Sequence, residues 1–495
     1  MKSLQPAALP IFTIDRSALS PLHKQIYDSY RAAILRGDLR PGQQILSSRE
    51  FASELRVSRF PVLNAYSQLL AEGYLETRTG AGTFVSTSLP EQQMSVDLPA
   101  GRAAATPSGP RPVSRRSELY PLFPSSPILR GWGAFGVHQP ALDQFPFPIW
   151  ASLVALHSRN PHVRAIHRVD PRGAERFRGA ICDYLRTARG VKCSPDQILV
   201  VSGSQQALDI TARVLLDPGN AVWVEEPGYQ LQRIVLNAAG CRIIPIPVDG
   251  DGMNVAAGIK RAPRARAAFV TPSHQYPLGS TMSASRRIQL LNWAHSAGAW
   301  IVEDDYDSEF RYESLPIASM HGLDRNSRVI YIGTFSKVLF PSLRLGYMVI
   351  PPDLVDRFVA VRHAMDIFPP YLHQEVLADF IIEGHFTRHI RKMRQVYKER
   401  RSVLMDSLNR EFPLHRGYEV HGVEAGMHLA ITLPAGLNDI EIAARAARSR
   451  LWLWPLSPSY QGKTPRHGFN LGFGSTLPSQ IPRAVRLMRS LVATG

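Results

Sequence analysis

The sequence predicts an α/β chain in two parts: a small N-terminal winged helix-turn-helix, then a large α/β domain with a mostly parallel sheet. Three observations carry this. Residues 12–86 hold apolar side chains at helical spacing and end in a glycine-containing β-ribbon. Residues 87–127 are rich in Pro, Ser, Ala and Arg and show no apolar period, which predicts a flexible linker. From 128 to 495, strand-like and helix-like patterns alternate to the end, as expected of helices packed on a parallel sheet.

Composition narrows the class before any motif is read. With 44% hydrophobic and 20% charged residues, a disordered or collagenous chain is excluded. No run of 18 apolar residues is present, so no membrane span is expected. The start, Met1-Lys2-Ser3-Leu4-Gln5-Pro6, has no apolar core of a secretion signal, so a cytoplasmic location is expected. Cys182, Cys193 and Cys241 lack CxxC spacing. They are expected as free thiols, with no disulfide framework and no metal site. Lys and Arg number 57 against 41 Asp and Glu, a formal charge of +16. That suits a polyanionic partner, with DNA, RNA and an anionic membrane all open on charge alone.

In the first part, Leu22, Ile26, Ala33 and Ile34 share one helical stripe after Pro21. Gly37 and Arg40-Pro41-Gly42 end that helix. Ser47-Ser48-Arg49-Glu50 is a capping-box pattern that starts a short helix burying Phe51, Ala52 and Leu55. Arg56-Val57 turns the chain. Ser58 is placed to cap a third helix, with Pro61 in its first turn and Val62, Tyr66, Leu69 and Leu70 inward. A short helix, a tight turn and a second helix make a helix-turn-helix. Its second helix presents Arg59, Phe60 and Asn64 from the half that meets base edges. Residues Tyr74–Val85 read as a hairpin with Arg78, Gly80 and Gly82 near its tip, where Arg78 can meet a phosphate or the minor groove.

This segment resembles the GntR family of winged helix-turn-helix regulators. The matching stretches are Pro21-Leu22-His23-Lys24-Gln25-Ile26, Gly37-Asp38-Leu39-Arg40-Pro41-Gly42, Ser47-Ser48-Arg49, Val57-Ser58-Arg59 and Gly80-Ala81-Gly82-Thr83-Phe84-Val85. Leu46 stands where the family usually has Pro. The resemblance implies double-stranded operator DNA as partner, met by Ser48, Arg49, Ser58, Arg59, Asn64 and Arg78 with the wing glycines.

In the second part, three strand ends carry chemistry. Gln197–Val201 leads through Ser202-Gly203-Ser204-Gln205-Gln206 into a helix, so free backbone amides and the helix dipole point at one spot that suits an anion. Ala299–Val302 ends in Glu303-Asp304-Asp305-Tyr306-Asp307. A carboxylate at the end of a parallel strand can keep a pyridinium nitrogen protonated. Val329–Ile332 ends in Gly333-Thr334-Phe335-Ser336-Lys337, and Arg344 follows seven residues on. A desolvated lysine can lose its proton and form a Schiff base, and an arginine can clamp a phosphate. Taken singly, these read as an ordinary αβ turn, a solvated acidic loop and a surface lysine. Their order is what pyridoxal 5′-phosphate requires.

Here the chain resembles the fold type I aminotransferases and, with its N-terminal module, the MocR/GabR-type transcriptional regulators. The stretches that carry the resemblance are Glu225-Glu226-Pro227-Gly228-Tyr229, Thr271–Gly279, Glu303–Tyr312 and Gly333–Lys337. The resemblance implies that Lys337 forms the Schiff base with the cofactor. It implies that Asp304 pairs with the pyridine nitrogen, Tyr306 approaches the ring hydroxyl and Tyr229 stacks on the ring. Ser204, Gln205, Ser336 and Arg344 hold the phosphate, with His274 behind and Tyr276 beside the ring. It also implies a domain-swapped homodimer, which a linker of roughly forty residues can span.

Two departures from ordinary aminotransferases bear on function. Tyr276-Pro277-Leu278-Gly279 replaces their Asn-Pro-Thr-Gly, and Asn470 stands where an arginine grips the substrate carboxylate. Arg233 or Arg466 is available as a substitute. The expectation is a regulator that senses an amine or amino acid as an external aldimine, with at most a slow transamination half-reaction. The alternatives are a working aminotransferase with an appended DNA-binding domain, and a regulator of vitamin B6 supply that senses the cofactor alone.

Overall fold

A computed structural model describes residues 14–90, 111–120, 133–159, 170–312, 318–462 and 465–494. Two units, Met1–Pro112 and Val113–Gly495, divide the chain. Most of the linker expected over 87–127 lies outside the described residues. Among the described residues no helix is long and apolar enough to cross a membrane.

The first unit is built from α1 (Leu22–Leu35), α2 (Ser48–Glu54) and α3 (Arg59–Ala71), then β1 (Leu75–Arg78) paired antiparallel with β2 (Gly82–Val85). Ile26, Ala33 and Ile34 bury one face of α1, and Val62, Tyr66 and Leu69 one face of α3. Leu22, Leu55 and Leu70, expected inside, are only half-buried. Tyr30 was absent from the expected stripe but is fully buried, because its hydroxyl finds that of Tyr66 at 2.8 Å. A buried tyrosine needs such a partner, and only the packed fold supplies it.

The capping box forms as written. Glu50 N–H donates to Ser47 Oγ at 3.3 Å, and Ser47 N–H to a Glu50 carboxylate oxygen at 3.0 Å. Ser58 takes the N-cap position of α3 but its hydroxyl makes no capping hydrogen bond. Gln44 bridges to Phe84 beside the ribbon. Gly82, at φ +114°, lets the Gln44 amide come so near that an added Cβ would lie 2.8 Å from it.

The second unit centres on an eight-stranded sheet. Its strands are β3 (Ile198–Val201), β4 (Ala221–Glu226), β5 (Arg242–Asp249), β6 (Gly252–Met253), β7 (Ala267–Val270), β8 (Trp300–Asp305), β9 (Val329–Thr334) and β10 (Gly346–Val349). The order is β3-β10-β9-β8-β7-β4-β5-β6, with β9, β8, β7, β4 and β5 parallel and β10 antiparallel to both its neighbours. Strands β3, β7, β9 and β10 are buried along their whole length. That explains their unbroken apolar runs: helices cover both faces of the sheet. Trp223 of β4 stacks on Trp293 of the helix Ala284–Ala297 at 3.7 Å. A four-stranded antiparallel sheet follows, with β11 (Glu419–His421), β12 (His428–Thr432), β13 (Trp454–Pro455) and β14 (Gly468–Gly472) in the order β11-β12-β14-β13. All three cysteines are free. The sulfurs of Cys182 and Cys193 lie 3.7 Å apart, and burial pushes the Cys193 thiol up to about 12.

Candidate functional site

In a parallel sheet the carboxyl ends of the strands share one edge, and ligands gather there. Here the ends of β3, β4, β7, β8 and β9 all open on one cleft. It has a cavity volume of about 130 Å³ and is lined by Ser204, Gln205, Tyr229, Tyr276, Asp304, Tyr306, Ser336, Lys337 and Arg344 among others. Arg344 reaches it because β10 runs the opposite way. Gly346 pairs with both Val201 and Thr334, so the residue two positions earlier sits at the same edge as the ends of β3 and β9.

Strand alternation sorts the carboxylates of β8. Side chains 303 and 305 point to one face and 304 to the other. Glu303 accepts the amides of Met320 and His321, both at 2.9 Å, and so is tied to a helix start. Asp305 takes Arg189 at 2.8 Å and the Tyr331 hydroxyl at 2.5 Å. Only Asp304 is left facing the cleft, with Tyr306 two residues on.

At the start of the helix Ser204–Leu215, Gly203 adopts φ +134°. A Cβ there would come within 3.5 Å of the Arg344 guanidinium. Arginine and helix N-terminus thus converge on one point, an arrangement suited to a dianion. The Ser336 hydroxyl beside it is buried without a partner. Ser204 Oγ instead donates to Asp304 at 3.0 Å, and Gln205 donates its amide to the Leu231 carbonyl at 3.1 Å.

Desolvation sets the charges. It pulls the Lys337 ammonium down to about 7, with Asp307 and Asp304 opposing and Arg344 adding to the fall. It pushes Asp304 up to about 7, against the hydrogen bond from Ser204. Tyr229 and Tyr276 are raised by burial, and His138 is held well below its usual value, first by burial and then by Lys337.

His274 does not line the cleft. It stands one layer behind, its Nδ1 at 2.9 Å from Asp307 and 3.2 Å from the Tyr306 hydroxyl. Although no metal site is expected from the sequence, His274, Asp307 and His428 bring their ligand-type atoms within 4.8 Å of one another, all buried. Neither Arg233 nor Arg466 is among the residues that line the cleft. Arg233 donates to the carbonyls of Pro458 and Ser459, and exposed Arg466 lies 3.8 Å from Glu419. Sequence reasoning missed His138, which lines the cleft on a left-handed backbone at φ +71°. It also gave no role to Thr271 and Thr334, which line it too.

In the first unit, Arg49, Ser58, Arg59, Asn64, Arg78, Gly80 and Gly82 are exposed and Ser48 is half-buried. Arg59 donates to Ser48 Oγ at 3.1 Å, linking the starts of α2 and α3. Arg78 pairs with Glu76 at 2.7 Å and lies over the Phe84 ring. An exposed pair of that kind is weak enough to exchange for a phosphate.

Comparison with known proteins agrees with both halves. Residues 22–85 match the family of bacterial regulatory proteins, gntR family, and residues 164–452 match aminotransferase class I and II. A probable rhizopine catabolism regulatory protein, MocR, of Rhizobium meliloti is 40% identical over 97% of this chain and 95% of its own length. The HTH-type transcriptional regulator TauR of Rhodobacter capsulatus is 30% identical over 98% of this chain and all of its own. Among solved structures, Pyrococcus horikoshii kynurenine aminotransferase, in complex with PMP, superposes with a TM-score of 0.70 at 26% identity, covering 77% of this chain and 97% of that one.

Proposed function

The chain belongs to the MocR-type GntR regulators, pyridoxal 5′-phosphate-dependent transcription factors that join a helix-turn-helix to an aminotransferase class I and II domain, and we propose that it reads an amine or amino acid at the cofactor site. One observation carries the reading. A helix N-terminus with an arginine, a buried carboxylate and a lysine of lowered basicity face one cleft.

The residues present fit the cofactor. Arg344, the Ser204–Leu215 helix start and the unpartnered Ser336 hydroxyl would take its phosphate. Asp304 would hold the proton on its ring nitrogen, with Tyr306, braced by His274, at the ring hydroxyl. Tyr229 would cover a ring face. When bound, the cofactor supplies an electrophilic carbon that amines attack. Lys337, neutral over much of the physiological range, is the amine this chain itself presents.

An incoming amine competes with Lys337, and any difference in its binding to two conformations shifts their balance. The DNA-binding face, with Arg49, Arg59 and Arg78, is then the output. The reading includes a domain-swapped homodimer in the cytoplasm, with at most a slow half-reaction at the cleft.

The test uses full-length protein. Incubation with the cofactor should give a visible band, and borohydride treatment should fix the adduct on Lys337. Amines should then change both that band and operator affinity in an anisotropy titration. A colourless protein, or an adduct elsewhere, would refute the site. Steady turnover with an amino donor and a keto acceptor would make it an enzyme. An operator response to the cofactor alone, with none to amines, would make it a cofactor sensor.

A further inference from the structure

Behind the cleft, three segments far apart in the chain bring two imidazoles and a carboxylate together. His274 comes from the turn after β7, Asp307 from the loop after β8 and His428 from the start of β12. They are 1%, 1% and 2% exposed. One ligand-type atom of each lies within 4.8 Å of the other two, and the two imidazole rings are 4.5 Å apart.

The group is short of partners. Asp307 pairs with His274 Nδ1 at 2.9 Å and with no lysine or arginine among the described residues. A buried carboxylate whose ion-pair partner is an imidazole is poorly compensated. The His428 ring donates to the Pro277 carbonyl, and its Nε2 has no partner. Nδ1 is therefore the donor, and the Nε2 lone pair is free. A carbonyl behind an imidazole is the support that orients metal-binding histidines. Gly426, at φ +74°, closes the other side. A Cβ there would fall 2.2 Å from His274 Nδ1 and 2.6 Å from Asp307 Oδ2, so the backbone can approach the pair only as glycine.

The spacing suits a small ion. Three atoms at most 4.8 Å apart lie within about 2.8 Å of a common centre, and zinc holds nitrogen and oxygen ligands at about 2.0–2.2 Å. Each ligand thus has to close by less than about 1 Å. Two imidazoles and one carboxylate favour such an ion over magnesium or calcium, which collect oxygen ligands. The Tyr306 hydroxyl, 3.2 Å from His274 Nδ1, offers a fourth ligand.

We propose that His274, Asp307 and His428 bind one zinc ion, directly behind the wall that Tyr306 gives the cleft. The site is separate from the cofactor cradle and does not depend on the functional reading above.

The test uses full-length protein, stripped with a chelator and freed of unbound cofactor. Zinc chloride or magnesium chloride is titrated in by calorimetry, and metal retained after desalting is counted. The expected result is close to one zinc per chain and no retained magnesium. His428→Gln, with its melting transition kept, should weaken zinc binding tenfold or more, and Asp307→Asn likewise. His295→Gln, at an exposed position, should change nothing. X-ray absorption on the unaltered zinc-loaded chain should show two imidazoles in the first shell, which keeps the test decisive if a variant fails to fold.

Retention of less than a tenth of a zinc per chain would overturn the proposal. So would a first shell without imidazole, or binding that a folded His428→Gln protein leaves undiminished. A chain that takes up zinc but no cofactor would fail the functional reading alone.

Discussion

The depressed basicity of Lys337 sets the pH dependence of cofactor capture. The neutral amine attacks, so capture follows the neutral fraction. For a lysine at about 7, that fraction is roughly three-quarters at pH 7.5, against about 0.1% for an ordinary lysine. The chain should therefore capture cofactor several-hundred-fold faster than its lysine would in water, before any gain from positioning. The sign is fixed by the direction of the shift. Lowering pH through 7 protonates Lys337 and slows capture, whereas raising pH above about 8 brings little more.

The assay mixes cofactor-free protein with the cofactor from pH 5.5 to 9.5 and follows the visible band in a stopped-flow instrument. A simple alkylamine run in parallel removes the cofactor's own titrations. The ratio of protein to alkylamine rate should be flat below about pH 6 and fall roughly tenfold per unit above about 8, because only the alkylamine keeps gaining neutral form. A ratio that stays constant to pH 9 would mean that Lys337 titrates like a solvated lysine, and the desolvation argument would be wrong.

Arg344→Gln removes the charge facing the helix N-terminus, and cofactor affinity should fall by about 1.5–3 kcal/mol, read by equilibrium dialysis. Retained affinity would place the phosphate elsewhere. Arg59→Ala should cost about 1–3 kcal/mol on a cognate operator if the arginine reads a base, and an equal loss on scrambled DNA would make it a phosphate contact. Operator affinity should fall steeply with salt as counterions are released, and a flat salt titration would speak against a basic interface. Trp223→Ala empties the site of a fully buried ring stacked on Trp293, and about 3–5 kcal/mol of stability should be lost in a denaturant melt. A loss below about 1 kcal/mol would mean that this core relaxes around the gap.

The readable parts of the chain were the local ones. The capping box at Ser47–Glu50 forms because its two hydrogen bonds lie within one helical turn. The mostly parallel sheet was visible as apolar runs separated by helical spacing. Lys337, Asp304 and Arg344 were singled out because each follows a strand, and strand ends converge in this architecture. The misses share another cause. His138 enters the cleft from a segment that is neither helix nor strand, so no periodic pattern marks it. His274, expected behind the ring, stands one layer behind the cleft against Asp307 and Tyr306, neighbours brought to it by packing and not by spacing.

The sequence by itself therefore determined the two kinds of domain, the helix-turn-helix and the set of groups that a pyridoxal phosphate site requires. Local propensity and period are properties of short segments, and each helix, strand end and turn that carries those features is written in fewer than about twenty consecutive residues. Tertiary structure alone decided which groups are spoken for. Asp305 is taken by Arg189 and Arg233 by two carbonyls, while the Ser336 hydroxyl is left with none. Partnership between groups more than a hundred residues apart depends on register and desolvation, and neither exists until the sheets have closed over them.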